Sequence, residues 1–197
     1  ARTREELIAS WSQAKSEGTK EAQPAATSKT AKSVERLYDL NSMFGKRHAS
    51  AVASNAGPTL LRSLFAKVPE QDFNKQLRTL EDACFLQCGT ATRLAVTIAL
   101  RFSDEVAARR YVERAETWLR QELAAVRGVH VDEVGKLGQA ASGFDFSSKK
   151  GQFGQSLGVL RWYRDGAEVV QIDATSFRLN EERLDAIAKR AFELFRS

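Results

Sequence analysis

Residues 93–102 alternate strictly: Leu94, Val96, Ile98, Leu100 and Phe102 are large and apolar, and Arg93, Ala95, Thr97, Ala99 and Arg101 between them are small or charged. A period of two is that of a strand, and this one predicts a single buried face. The preceding Cys88-Gly89-Thr90-Ala91 can turn the chain back on a shorter strand at residues 83–87, making a hairpin. After it the period changes to that of a helix. Ser103-Asp104-Glu105 supplies a cap and first-turn acids, Val106, Val112, Ala115, Leu119, Leu123 and Val126 trace one face, and Gly128 stops the helix.

Residues 129–134 and 140–146 predict two further strands, the second weakened by Ser142 and Gly143. Two strand-like runs, 157–163 and 168–175, flank Arg164-Asp165-Gly166-Ala167. Asp-Gly between such runs predicts a tight hairpin, because both residues tolerate positive φ. Asn180 then caps a closing helix whose Leu184, Ile187, Ala188, Ala191, Phe192 and Phe195 face inward. The order predicts an α+β fold, with a mostly antiparallel sheet of about five to six strands and two main helices packed on it.

The first eighty residues read differently. Thr3-Arg4-Glu5-Glu6 has the form of a capping box, and Leu7, Ile8, Trp11 and Ala14 follow on one helical face until Gly18. Residues 19–32 lack aromatic and branched aliphatic side chains and contain Pro24, so they bury too little to offset their ordering entropy and read as a linker. From Ser33 helical spacing returns through Val34, Leu37, Tyr38 and Phe44, broken by Gly45; Leu60, Leu61, Leu64, Phe65 and Val68 suggest another helix before Pro69. The organisation expected is a basic arm and linker over 1–32, a helical segment over 33–80 packing on the domain, and the α+β domain over 81–197.

Charge reinforces that division. Residues 1–67 hold eleven Lys and Arg against six acids, a surplus of five equal to the net charge of the whole chain. A basic arm attracts phosphate, an anionic lipid surface or an acidic protein partner by the same electrostatics. With Trp11 as an aromatic anchor, Arg2, Arg4, Leu7, Ile8, Trp11, Lys29 and Lys32 form a candidate partner-binding set. The equal alternative is that this helix folds back on its own domain. Protein partners are expected, with nucleic acid or a membrane surface as other options.

The apolar share of 43% and charged share of 28% are ordinary for a soluble globular chain, and no run approaches the roughly 18 apolar residues of a transmembrane helix. The chain starts at Ala1 without an apolar signal-type run, so the expectation is that any signal or transit segment has been removed or was never present.

Cys84 and Cys88 admit three readings: two reduced structural cysteines, a disulfide, or a reactive pair. In a strand, residues four apart share a face but lie about 13 Å apart, too far for a disulfide; a turn or helix brings them closer. His48 and His130 complete a Cys2His2 composition, but they are isolated from one another, and neither zinc nor any other cofactor is expected. Residues 149–156, Lys-Lys-Gly-Gln-Phe-Gly-Gln-Ser, are basic and glycine-rich yet lead into a strand, unlike a Walker loop, and lack the alternating aromatics of an RNA-recognition motif. They read as a solvated loop between strands. No His-Glu-x-x-His occurs. His130 and Asp132 on one side of a strand are the faint acid–base suggestion.

The run 138–146, the hairpin Leu157-Gly-Val-Leu-Arg-Trp-Tyr-Arg-Asp-Gly-Ala-Glu-Val-Val-Gln-Ile172 and the final helix over 181–195 loosely resemble the C-terminal part of bacterial extracytoplasmic sensor or lipoprotein domains. There a hairpin of this style precedes a closing helix. The resemblance covers under half of the chain, carries no functional residue with it, and implies a non-enzymatic domain outside the cytoplasm that binds a ligand or partner. The leading expectation from the residues is a non-enzymatic module of a larger assembly attached through its arm. Nucleic-acid association and extracytoplasmic ligand sensing are the alternatives, and an enzyme assembled from scattered residues around His130 and Asp132 is a further one.

Overall fold

The computed structural model describes residues 38–44, 49–52, 75, 77–90, 93–134, 136–151 and 154–197. The arm helix, the linker and the partner-binding set Arg2, Arg4, Leu7, Ile8, Trp11, Lys29 and Lys32 lie outside the described residues.

A 3-10 helix, Tyr38–Phe44, precedes β1 (Ala49–Val52), β2 (Leu80–Thr90) and β3 (Arg93–Phe102). Then come α1 (Glu105–Ala124), β4 (Val129–Asp132), β5 (Ser142–Gly151), β6 (Gly154–Asp165), β7 (Glu168–Thr175) and α2 (Glu181–Arg196). The described strands form one seven-stranded sheet in the order β1-β2-β3-β7-β6-β5-β4. Every pairing is antiparallel. The fold is thus α+β with two main helices. Its extra strand is β1, inside the segment read from sequence as helical.

The helices cover opposite faces. Val96, Ile98, Leu100 and Phe102 of β3, Phe144 and Phe146 of β5, and Leu160 and Trp162 of β6 pack with Tyr111, Val112, Ala115 and Leu119 of α1. On the other face Cys84, Leu86 and Cys88 of β2, Ala95 and Ala99 of β3, and Val170, Ile172 and Ala174 of β7 pack with Leu184, Ile187, Ala191 and Phe195 of α2 and with Leu40 and Phe44. Each large apolar side chain buried in these layers contributes about 1.5–3 kcal/mol.

Here β3 departs from its alternation: it is buried on both faces, Ala95 and Ala99 being as fully enclosed as Leu100. Short side chains on the second face shorten the distance at which the other layer makes contact, so a small residue in the pattern marks close packing rather than solvent. On α1 the buried stripe is Ala107, Ala108, Tyr111, Val112, Ala115 and Leu119, while Val106 is exposed. Val106 precedes that stripe by one residue, about 100° around the helix. On α2 Leu194 takes the buried place expected of Phe192.

Local signals hold at the caps: Asp104 accepts from the Ala107 N–H at 2.8 Å and Asn180 from that of Arg183 at 3.0 Å. The β6–β7 hairpin closes on the Asp165–Glu168 pair, and Gly166 alone of its two loop residues has positive φ, +58°. That is the pattern of a II′ turn, which needs glycine only at its first position, rather than the I′ turn implied by Asp-Gly. The glycine-rich stretch is also shorter as a loop than expected, since β5 runs to Gly151 and β6 starts at Gly154. Among the described residues, no helix is long and apolar enough to cross a membrane.

Candidate functional site

Arg161 sits in the middle of β6 with its side chain on the α2 face, and only 1% of it is exposed. Room for it comes from the opposite strand. Its register partner on β5 is Gly143, where an added Cβ would stand 2.6 Å from Arg161 Cδ and 2.5 Å from the Leu160 carbonyl oxygen. Glycine here permits a guanidinium stem to cross a neighbouring backbone.

The guanidinium is held from several sides. Nη1 donates to the carbonyl oxygens of Phe144 (2.9 Å) and Leu160 (2.8 Å). Nη2 donates to Asp145 Oδ1 and Glu181 Oε1, both at 2.8 Å. Asp145 reaches it from β5, on the same face as Gly143. Glu181 is the first residue of α2, where the helix dipole also favours a carboxylate. Burial by itself would lower the Arg161 pKa, but the hydrogen bonds and charges of Glu181 and Asp145 outweigh it and hold the group above its ordinary value.

Two residues along β6, on the same face, Tyr163 is also buried. Burial pushes its phenol pKa up, and the nearby Asp185 and Glu181 carboxylates push it further, while Arg161 opposes them. Asp185 lies one turn beyond Glu181 on α2, and its Oδ2 accepts from the Gln139 N–H at 3.1 Å. The segment before β5 thereby rests on the node. Gly138 has φ +56°, and a Cβ there would meet Asp185 Oδ2 at 2.5 Å.

In this cluster Arg161 Nε and Glu181 Oε2 are closed to solvent without a hydrogen-bond partner, while the Tyr163 hydroxyl and the Asp185 carboxylate interact with each other. Most buried polar atoms in folded proteins are paired, so their convergence at one place marks the node as a site. Chemically it offers a carboxylate oxygen and a guanidinium N–H.

The residues singled out from sequence lie elsewhere. Cys84 and Cys88 are both buried free thiols on the α2 face of β2. Four residues apart in an extended strand, they are separated by about two pleats, so a disulfide between them would require β2 to bend. Burial raises both: Cys84 strongly, and Cys88 to about 12. His130 and Asp132 are exposed on the edge strand β4 rather than enclosed in a pocket. His48 is outside the described residues, and among the described residues no group of His, Cys, Asp or Glu is arranged to hold a metal ion.

None of the five node residues stands out by motif. A usable signal was present in β6 alone: Arg161 falls between Val159 and Tyr163 on a face that the strand pattern assigns to the interior, and an interior arginine demands carboxylates.

No protein-family model matches the chain, and no curated protein matches it in sequence. Among solved structures it is similar to the extracellular domain of PknH from Mycobacterium tuberculosis, at 11% identity and a TM-score of 0.47, over 89% of this chain and 99% of that one. It is also similar to a putative uncharacterized protein, the Rv0999 ortholog, from Mycobacterium smegmatis, at 14% identity and a TM-score of 0.40, over 89% of this chain and all of the other. No residue role is taken from either.

Proposed function

We propose that this chain is a non-enzymatic binding module: its α+β body recognises a small polar molecule at the Arg161 node, and its basic N-terminal arm attaches it to a larger assembly. The observation that carries the reading is the fixed guanidinium whose Nε, like the adjoining Glu181 Oε2, is buried without a partner. A rigid, pre-oriented cluster of this kind is what selective recognition of a polar ligand requires. Its non-enzymatic character is supported by the state of the nucleophilic groups. Burial keeps the Cys84 and Cys88 thiols protonated, and the Tyr111 hydroxyl is engaged with Gln171 inside the core.

Attachment is supported by the surplus of five positive charges within residues 1–67. A pull-down from the native source with the intact chain and with residues 1–32 deleted tests it; unchanged recovery of partners after the deletion counts against it. Ligand recognition is tested by a thermal-shift screen of polar metabolites against the intact chain, with Glu181→Gln as control. Stabilisation abolished by that substitution is the expected result.

The same charge surplus favours a second reading, association with nucleic acid through the arm. It predicts affinity that falls steeply as salt rises, and no binding at low ionic strength eliminates it.

A further inference from the structure

The sheet ends at β4, whose outer edge pairs with no strand among the described residues. One hydrogen bond shows which backbone groups that edge offers. The Val129 N–H donates to the Val126 carbonyl oxygen at 3.2 Å instead of to β5. In an antiparallel ladder, residues bonded to the neighbouring strand alternate with residues that turn their N–H and C=O away from it. His130 and Asp132 therefore direct their backbone groups to β5, and Val131 presents both of its own outward, as an edge strand open to a further strand does.

The side chains of β4 divide by face. Val129 and Val131 pack on the α1-side core but are only half-buried, and His130 and Asp132 are exposed on the other face. There Asp132 stands directly opposite Asp145. Like charges in register repel. Asp145 is compensated by Arg161, whereas Asp132 has no ion-pair partner among the described residues.

A second copy of the chain supplies what this edge lacks. Pairing β4 antiparallel with its two-fold mate must match outward-directed residues, and three such registers are centred within the strand, on His130, Val131 or Asp132. The first sets His130 against the partner's His130, and the last sets Asp132 against the partner's Asp132. The register centred on Val131 opposes unlike groups, His130 to the partner's Asp132 and Asp132 to the partner's His130. It also lets the two Val131 residues exchange N–H···O bonds, and it places their β-branched side chains side by side on the α1 face.

We infer that β4 is a self-association edge, at which two copies join antiparallel through Val131 about a two-fold axis, with His130 in register with the partner's Asp132. This goes beyond the binding reading above and stands without it. The edge is short, so the dimer belongs to the weak, reversible class rather than the obligate one.

Sedimentation velocity of the full chain over a wide concentration range tests it, with amide exchange at Val131 as the local readout. A reversible monomer–dimer equilibrium is expected, with Val131 exchange slowing as the dimer fills. His130→Asp turns two symmetry-related attractions into repulsions and is expected to weaken the dimer about tenfold or more. Asp132→His removes the same attractions from the other side. Combining the two substitutions exchanges the charges and is expected to restore association. Both side chains are exposed, so neither belongs to the core. Far-UV circular dichroism checks folding, and either single variant stands in for the other. A chain that stays monomeric at every concentration overturns the proposal. So does a dimer that leaves Val131 exchange unchanged or that His130→Asp does not weaken, since it forms through another surface. A double variant no tighter than the single ones overturns the register and the proposal with it.

Discussion

Trp162 on β6 and Gln171 on β7 are direct register partners, and the indole Nε1 donates to the Gln171 carboxamide oxygen at 2.9 Å. The same oxygen accepts from the Tyr111 hydroxyl of α1 at 3.1 Å, so one acceptor satisfies two of the largest side chains in the core. Replacing it with an apolar residue of similar size, Gln171→Leu, takes away the acceptor that two buried donors share. Loss of its acceptor costs a buried donor about 1–3 kcal/mol, so a loss of about 2–6 kcal/mol is expected in urea denaturation. Tyr111→Phe, which removes one donor and leaves the acceptor bonded to Trp162, is expected to cost only about 1 kcal/mol.

Arg161 carries a different kind of risk. Its guanidinium is enclosed and paired with Asp145 and Glu181, and removing one partner of a buried pair leaves the others uncompensated. Arg161→Leu is expected to destabilise the domain by about 3–5 kcal/mol, read from the denaturation midpoint. The partly exposed Asp145 can regain water, so Asp145→Asn is expected to cost distinctly less. A smaller effect of Arg161→Leu than of Asp145→Asn contradicts the arrangement.

The two thiols make a statement about pH. Burial raises Cys88 from its ordinary value of 9.0 to about 12 and raises Cys84 further. The folded state thus keeps protons that the unfolded chain releases above about pH 9. The stability linked to these groups is complete below the unfolded value and is lost as pH climbs through the window from 9.0 to about 12. Denaturation midpoints measured from pH 7 to pH 11 are expected to fall at the alkaline end, less so in a Cys84→Ala, Cys88→Ala double variant. Native thiols are also expected to resist a disulfide reagent until denaturant is added.

Gly138 tests the segment that closes the node. Alanine there is strained by φ +56° and brings a Cβ to 2.5 Å from Asp185 Oδ2. Gly138→Ala is expected to lower stability by about 1–2 kcal/mol and to speed hydrogen exchange at the Gln139 amide, whose acceptor is displaced. Unchanged exchange at Gln139 means that the contact with Asp185 does not hold the segment.

Much of this architecture was legible along the chain because it depends on near neighbours. Asp104 and Asn180 cap their helices within three residues, and the β6–β7 hairpin turns at Gly166. The alternation of β3 is a property of ten consecutive residues. β1 was not legible: four residues, Ala-Ser-Ala-Val, have too weak a pattern to declare a strand, and they become one by pairing with residues 85–88 of β2.

The sequence by itself determined the positions of the main helices and the core strands, since caps, turn residues and periodicity act over a few residues. Only the tertiary structure decided that β7 lies between β3 and β6 and that α1 and α2 cover the two faces of β3. It alone brought Arg161 against Asp145, 16 residues away, and Glu181, 20 residues away, on the floor beneath α2. Ion pairs between separate elements leave no period in a sequence. They follow from which strand faces which helix, and that is set by burying both faces of the sheet together.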